Sequence, residues 1–245
     1  MRGGAAFLIA VSITFLAPNA LAKRAHAAAS GETSDFQRDV ELYPEALLAA
    51  GESFSGSGMD ANAHLYTTVE RSDAAGDAQR AEEILDILRH SMAKYKDYRA
   101  AIADGYAPLM PKTDQRLYWF ISGRNAYASA YEFNPGHPTS LLYKKSKGNF
   151  ELEGAIFTAP KAATESQLND RVPLSIARWF EHVNLCVAPK RAAGQSADSK
   201  RFGLDGSIAT KDVCAAAGGR WVPQVFGWMV AVFPFESSPD AVWAH

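Results

Sequence analysis

The chain has 245 residues, of which 47% are hydrophobic and 21% are charged, and its formal net charge is −2. This length and apolar share suffice for one large domain or two small ones with a sizeable core. Lysine and arginine are scattered, which excludes the long basic stripe of a nucleic-acid-binding protein, and no stretch after the N-terminal region is long and apolar enough to cross a bilayer.

The N-terminal region has the layout of a secretory signal peptide. Arg2 is followed by an uncharged apolar run over residues 5–17, and small-x-small cleavage signals end at Ala22 and Ala27. We therefore predict a signal peptide over residues 1–22 and an exported protein, either periplasmic or secreted. The alternative is that the run is retained as an N-terminal anchor, although it is short and interrupted for a membrane span.

The segment that follows, residues 23–76, is predicted to be mostly irregular and to include a linker. Within it, Pro44 opens a short helical pattern that ends at Gly51. Residues 51–76 are rich in Gly, Ser, Ala and Asp, a composition typical of a loop or linker. His64 lies in this stretch and belongs to no recognisable ligand pattern.

The clearest predicted element is a helix from about Asp77 to Asp104. Its apolar side chains recur at steps of three and four residues, which places them on one buried face. Gly105 ends the pattern, and Pro108 and Pro111 prevent the helix from resuming. The positions that share this face are Ala81, Ile84, Leu85, Leu88, Met92, Tyr95, Tyr98 and Ile102.

The remainder of the chain predicts short strands with short helices between them. Strand patterns occupy residues 116–121, 139–144, 149–158, 176–187 and 224–235, and short helical patterns occupy 123–131, 165–171 and a segment around Cys214. The pattern over residues 176–187 also fits a short helix. This order predicts an α+β fold, with the long amphipathic helix packed on a mainly antiparallel β-sheet in a single domain over residues 77–245.

Two of the strand patterns predict a β-hairpin. Residues 139–144 and 149–158 are separated by residues 145–148, which gives a connecting loop of about four residues. Phe150, Leu152 and Ile156 alternate along the second strand and are predicted to share one face.

The two cysteines, Cys186 and Cys214, are predicted to form a disulfide bond. An even pair of cysteines in an exported protein is most simply explained by a bridge, because the compartment is oxidising. Two alternatives stay open from the sequence: two free thiols, or a thiolate bound to a metal.

The densest cluster of side chains with ligand chemistry is His182, Asn184 and Cys186. If the segment is a strand, alternate residues share a face, but His182 and Cys186 are about 13 Å apart and cannot bind one metal ion. If it is a helix, they are neighbours and can chelate. The simpler interpretation of His182 is a buried histidine bonded to the backbone, and the functional one is that it lines a pocket or binds a metal.

Several strings in the second half of the chain form a set that resembles a known family. They are Lys94–Asp97 with Ala103–Tyr106, Phe133–Pro135 with Pro138–Tyr143, Gly154–Pro160, Val172–Ser175 with Ala177–Trp179, His182–Cys186, and Phe226–Val230. Together, over about residues 90–245, they resemble a family of exported bacterial proteins with no assigned function. The resemblance implies export and a single domain, and it implies no particular reaction.

The resemblance also implies that relatives often have additional histidines. These fall where this chain has Trp119, Phe180 and Ala231, so that relatives could gather several imidazoles around a metal ion. This chain keeps only His182 of that set, and a catalytic zinc site ordinarily needs about three protein ligands. We therefore assign no metal ligands from the sequence.

From these observations we expect a protein that binds a small molecule or a metal. The hypothesis places the His182 imidazole in a cavity beside Tyr118 or Trp119, with Asn184 on the same face of the strand. The second hypothesis is a hydrolytic or metal-dependent enzyme, and the third is a structural or interaction protein of the cell envelope. The sequence identifies neither a reaction nor a cofactor.

Overall fold

A seven-stranded antiparallel sheet forms the centre of the structure, a computed structural model that describes residues 33–53, 63–189 and 198–243. The predicted signal peptide lies outside these residues. The strands, in chain order, are β1 (Leu65–Thr67), β2 (Ala107–Pro108), β3 (Tyr118–Ile121), β4 (Ser140–Ser146), β5 (Asn149–Ala159), β6 (Phe180–Val187) and β7 (Arg220–Val232). Their order across the open sheet is β1-β6-β7-β5-β4-β3-β2, with every neighbouring pair antiparallel.

Helices cover both faces of this sheet, which confirms the α+β class. They are α1 (Asp35–Leu42), α2 (Pro44–Ser53), α3 (Asp77–Met92) continued by a 3₁₀ turn (Ala93–Lys96), α4 (Tyr98–Ala103), α5 (Gly123–Ala128), α6 (Glu165–Arg171), α7 (Lys211–Ala216) and α8 (Pro239–Val242). In the described ranges, none of these helices has the length and apolar character required of a transmembrane helix.

The alternation of side chains along the strands creates two hydrophobic cores. On one face, the apolar stripe of α3, including Leu85, Leu88 and Met92, packs against inward side chains such as Tyr118 and Phe120 of β3. The opposite face packs against the N-terminal helices and contains Phe36, Leu47, Trp119, Phe180 and Phe226. Neighbouring residues on a strand therefore belong to different cores, as the pleat requires.

The long helix is confirmed in its first part, but the prediction that it continues to Asp104 is wrong. Asp97 has extended backbone (φ −88°, ψ 105°), and its side chain accepts a hydrogen bond from the Arg99 N–H, so it ends one helical segment and caps α4. The break changes the phase of the stripe, and Ile102 is consequently 48% exposed. Gly105 (φ 91°) ends α4, as expected for a left-handed terminating residue.

The hairpin β4–β5 is confirmed, with two corrections. Its loop has two residues, Lys147 (φ 48°) and Gly148 (φ 82°), which is the geometry of a type I′ turn. The prediction that Ile156 shares a face with Phe150 is wrong, because Tyr143 pairs with Leu152 whereas Leu142 pairs with Gly154. Glu153 is thus an extra residue in a β-bulge, and the side chains beyond it change faces.

The N-terminal segment is more regular than predicted. Ser34 accepts a hydrogen bond from the Gln37 N–H and so caps α1, α2 extends beyond Gly51, and β1 adds a strand beside β6. Asp39 attaches α1 to the sheet, because its Oδ2 accepts from the Phe226 N–H at 2.9 Å and lies 2.5 Å from Lys161 Nζ. These polar contacts occur far apart in sequence and leave no local pattern.

A local distortion in β7 receives the Asp39 carboxylate. Phe180 pairs with Met229 and His182 with Val225, so β7 has two extra residues relative to β6 at this point. They are Phe226 (φ 68°) and Gly227 (φ 71°), both left-handed. The turned Phe226 N–H is thereby directed to Asp39 rather than to the neighbouring strand.

The disulfide between Cys186 and Cys214 is confirmed, and so is the strand interpretation of this segment, although the strand begins at Phe180 and not at Ile176. The two Cα atoms are 5.6 Å apart, within the usual range for a bridge, and the bond joins β6 to α7. Gly219 lies against it, since a Cβ at that position would be 2.6 Å from Cys186 Sγ. The bridge therefore requires a glycine where the chain leaves α7.

Candidate functional site

Two of the residues predicted to form a site with His182, Tyr118 and Trp119, lie far from it in the sheet. His182 lies on β6 and Tyr118 and Trp119 on β3, with β7, β5 and β4 between them. Four strand spacings correspond to about 19 Å along the sheet. In addition, Tyr118 and Trp119 face different cores. This arrangement therefore gives no support to a cavity lined by His182 together with these aromatic residues.

Asn184 is diverted from the face predicted for it by a left-handed backbone (φ 61°). Its side-chain Nδ2 donates to the Ala63 carbonyl at 2.7 Å. The pairing of Val183 with Gln224 and of Leu185 with Val222 places Asn184 opposite Pro223, which has no N–H to donate. The Asn184 carbonyl instead lies 3.1 Å from Nδ1 of His64.

His64 is a buried connector that the sequence did not reveal. Its Nδ1 faces the Asn184 carbonyl, and its Nε2 lies 2.7 Å from the Gly206 carbonyl. The ring thus joins the end of β1 to β6 and to the loop before α7. No local signal announces this role, because the two contacts span 120 and 142 residues.

His182 itself is a buried neutral imidazole, 1% exposed, between the rings of Phe180 and Phe226. Burial and, to a smaller extent, the neighbouring His64 lower the pKa of His182 to about 3, and a hydrogen bond to the His64 backbone opposes them. Its Nε2 has no hydrogen-bond partner among the described residues. These features support the structural interpretation of His182.

The residues that the structure describes contain no group of three or more His, Cys, Asp or Glu side chains placed to hold a metal ion.

A cavity of about 200 Å³ lies beside Ser175 and Trp243. There Ser175 donates to Asp77 Oδ2 at 2.6 Å, and this hydrogen bond lowers the pKa of Asp77. The serine proton is therefore held by a carboxylate that is stabilised as the anion.

A better-organised polar cavity lies beside the C-terminal end of α5 and has a volume of about 90 Å³. We call it the hydroxyl pocket, because the hydroxyl groups of Ser129, Thr139 and Thr158 form a connected chain in it. It is lined by Asn125, Ala128, Ser129, Glu132, Phe133, Asn134, His137, Thr139, Phe157 and Thr158. Thr139 and Thr158 are 1% and 2% exposed, so their positions are fixed by the core.

The hydrogen bond between Ser129 and the Ala126 carbonyl fixes the direction of the other hydrogen bonds in this series of hydroxyl groups. Ser129 Oγ donates its single proton to the Ala126 carbonyl at 2.8 Å. Thr158 Oγ1, 2.8 Å from Ser129 Oγ, must therefore donate to it, and Thr139 Oγ1, 2.9 Å from Thr158 Oγ1, must donate to Thr158. Every hydroxyl proton points away from Thr139, which presents lone pairs.

The surrounding groups hold this chain in place. Asn125 Nδ2 donates to Tyr106 OH and to the Pro138 carbonyl, both at 3.0 Å. Arg171 Nη1 donates to the Ser129 carbonyl at 2.6 Å and to the Thr158 carbonyl at 3.1 Å, and burial lowers the pKa of Arg171. The pocket therefore rests on hydrogen bonds formed before any ligand arrives.

The mouth of the hydroxyl pocket combines charge with aromatic surface. Glu132 and His137 are exposed there. The rings of Phe133 and Phe157 meet edge to face with their centroids 5.1 Å apart. The sequence did not single out these residues, although Thr139 and Thr158 fall within the strings that carry the resemblance.

Searches of family models, curated proteins and solved structures found no match to this chain. The resemblance to exported bacterial proteins therefore stays a prediction from the sequence, and the function must be argued from the geometry.

Proposed function

We propose that this is an exported protein that binds a small polar molecule in the hydroxyl pocket without transforming it. The observation that carries the proposal is the hydrogen-bonded chain from Thr139 through Thr158 and Ser129 to the Ala126 carbonyl. A fixed polar array beside an apolar wall is the usual composition of a small-molecule site.

The same chain argues against catalysis by these hydroxyls. A serine or threonine nucleophile needs a base that takes its proton. Here the last hydroxyl proton, that of Ser129, is donated to a peptide carbonyl. A peptide carbonyl is a poor base, so the three hydroxyl groups do not relay a proton. The structure thus favours the binding hypothesis over the enzyme hypothesis at this site.

The size of the cavity restricts the ligand. Drug-sized ligands occupy pockets of about 300–1,000 Å³. The hydroxyl pocket has about 90 Å³, which suits a ligand of a few non-hydrogen atoms or one end of a longer molecule.

Replacement of Thr139 by Val is expected to weaken ligand binding severalfold, since it removes one hydrogen bond from a buried site. The measurement is an NMR titration with small amines, carboxylates and alcohols that follows the amides of Thr139, Phe157 and Thr158. Thr113→Val, in an exposed loop, is the matched control and should bind like the wild type. Thr139→Ser should restore affinity. The proposal fails if no compound of any class shifts these amides.

The export part of the proposal is supported by the N-terminal pattern and by the disulfide, which is compatible with an oxidising compartment. Protein recovered from outside the cytoplasm is expected to begin after Ala22 or after Ala27. N-terminal sequencing of that material makes the measurement. An intact Met1 would show that the apolar run is kept as an anchor.

A further inference from the structure

We infer that the ligand of the hydroxyl pocket carries a primary ammonium group on a short alkyl chain. This inference rests on the proposed binding function and specifies its ligand class. It follows from which hydrogens and lone pairs the pocket still has available after its internal hydrogen bonds are formed.

The floor of the pocket offers an acceptor. The proton of Thr139 is directed to Thr158, that of Thr158 to Ser129, and that of Ser129 to a carbonyl. The outer lone pairs of Thr139 Oγ1 therefore accept a hydrogen bond and cannot donate one. A ligand that contacts this atom must bring its own N–H or O–H.

Asn125 reinforces this polarity. The Asn125 Nδ2 faces Tyr106 OH and the Pro138 carbonyl, both at 3.0 Å, and is thereby directed to the frame of the pocket. The acceptor that Asn125 can offer to the pocket is its carbonyl oxygen. Two donors of the nearby turn are also engaged, because the Gly136 N–H donates to Asn134 Oδ1 and the His137 N–H to the Asn134 carbonyl.

The charged groups around the pocket favour a cation at its mouth. The Glu132 carboxylate lines the opening, whereas the Arg171 guanidinium lies behind the floor and donates to the Ser129 and Thr158 carbonyls. An anion would need N–H donors directed into the cavity, and at the floor these hydrogens are directed elsewhere. The side chains at the rim that could still donate to one are His137, through its ring, and Asn134, through its Nδ2.

The aromatic wall fits the remainder of such a ligand. Phe133 and Phe157 contribute apolar surface for a short alkyl chain, and an aromatic face attracts a cation within about 6 Å of its centre. A primary ammonium group has three N–H donors, enough for Thr139, Asn125 and Glu132 together. With about 90 Å³ available, the alkyl part is limited to a few carbon atoms.

The experiment compares four probes of similar size by NMR titration of the full-length mature protein at pH 7 and constant ionic strength. They are ethylammonium, tetramethylammonium, acetate and ethanol. A primary amine, with a pKa near that of lysine at about 10.4, is charged at this pH. We expect ethylammonium to bind, tetramethylammonium to bind at least about tenfold more weakly because it has no N–H, and acetate not to bind.

Two variants identify the groups responsible. Thr139→Val and Glu132→Gln should each weaken ethylammonium binding severalfold, and Glu41→Gln, an exposed carboxylate on α1, should leave it unchanged. Binding of acetate or ethanol at these amides without binding of ethylammonium would overturn the inference while leaving the proposed function standing. If no probe of any class binds, both fail.

Discussion

Acidification from pH 7 to pH 3 is expected to destabilise the folded protein by about 4 kcal/mol through His182 alone. Burial lowers the pKa of this imidazole from its ordinary value of 6.5 to about 3. At pH values between about 3 and 6.5, the unfolded chain binds a proton at His182 that the folded protein does not bind. Stability therefore rises with pH in this window and is lost as the pH falls from about 6.5 to about 3.

The measurement is urea unfolding of the wild type and of His182→Asn at several pH values. Asparagine keeps a donor near the position of Nδ1 but does not titrate, so the difference between the two proteins isolates His182. Glu181, whose pKa is raised by burial, has the opposite pH dependence and is present in both. Parallel stability curves for the two proteins would show that His182 is protonated at no cost and is not buried in solution.

Removal of the disulfide is expected to lower the free energy of unfolding by about 3.6 kcal/mol. The two cysteines are separated by 28 positions, and the entropy of closing a loop of that size in the unfolded chain gives this value. The bridge also lies within a small buried cluster with Phe202 and Ile208. For a domain stable by about 5–15 kcal/mol, this is a large fraction.

The comparison is between the wild type and the Cys186→Ala, Cys214→Ala double variant in urea. Reduced wild-type protein should have a midpoint of unfolding at nearly the same urea concentration as the double variant, since both lack the bridge. Titration of the denatured, unreduced wild type should find no free thiol. A loss below about 1 kcal/mol would mean that the unfolded chain is little restricted by the bridge.

The parts of the fold that repeat locally could be predicted. The three-and-four spacing of Leu85, Leu88 and Met92 predicted the long helix, and the alternation in β4 and β5 predicted the hairpin. Asp97 broke the predicted helix because its side chain caps the next segment instead. The bulge at Glu153 was equally invisible, since an extra residue in one strand depends on the partner strand.

The candidate site could not be predicted for a related reason. Ser129, Thr139 and Thr158 are ordinary hydroxyl residues, and they meet only when α5, β4 and β5 are assembled. His182 drew notice because histidine has many functions, yet the sequence does not state how deeply a side chain is buried. Whether His182, Asn184, Tyr118 or Trp119 contact a ligand stays a prediction, and the structure keeps His182 apart from the two β3 aromatics.

The attachment of Asp39 to Phe226 has a consequence for the order in which the chain acquires its structure. The two residues are 187 positions apart, and β7, the last strand in sequence, lies between β6 and β5 near the middle of the sheet. A polypeptide leaving a ribosome or a translocation channel presents Phe36 and Leu47 long before β7 arrives to cover them. The sheet can therefore be completed only when nearly the whole chain is available, and pairings between segments so distant in sequence make folding intrinsically slow.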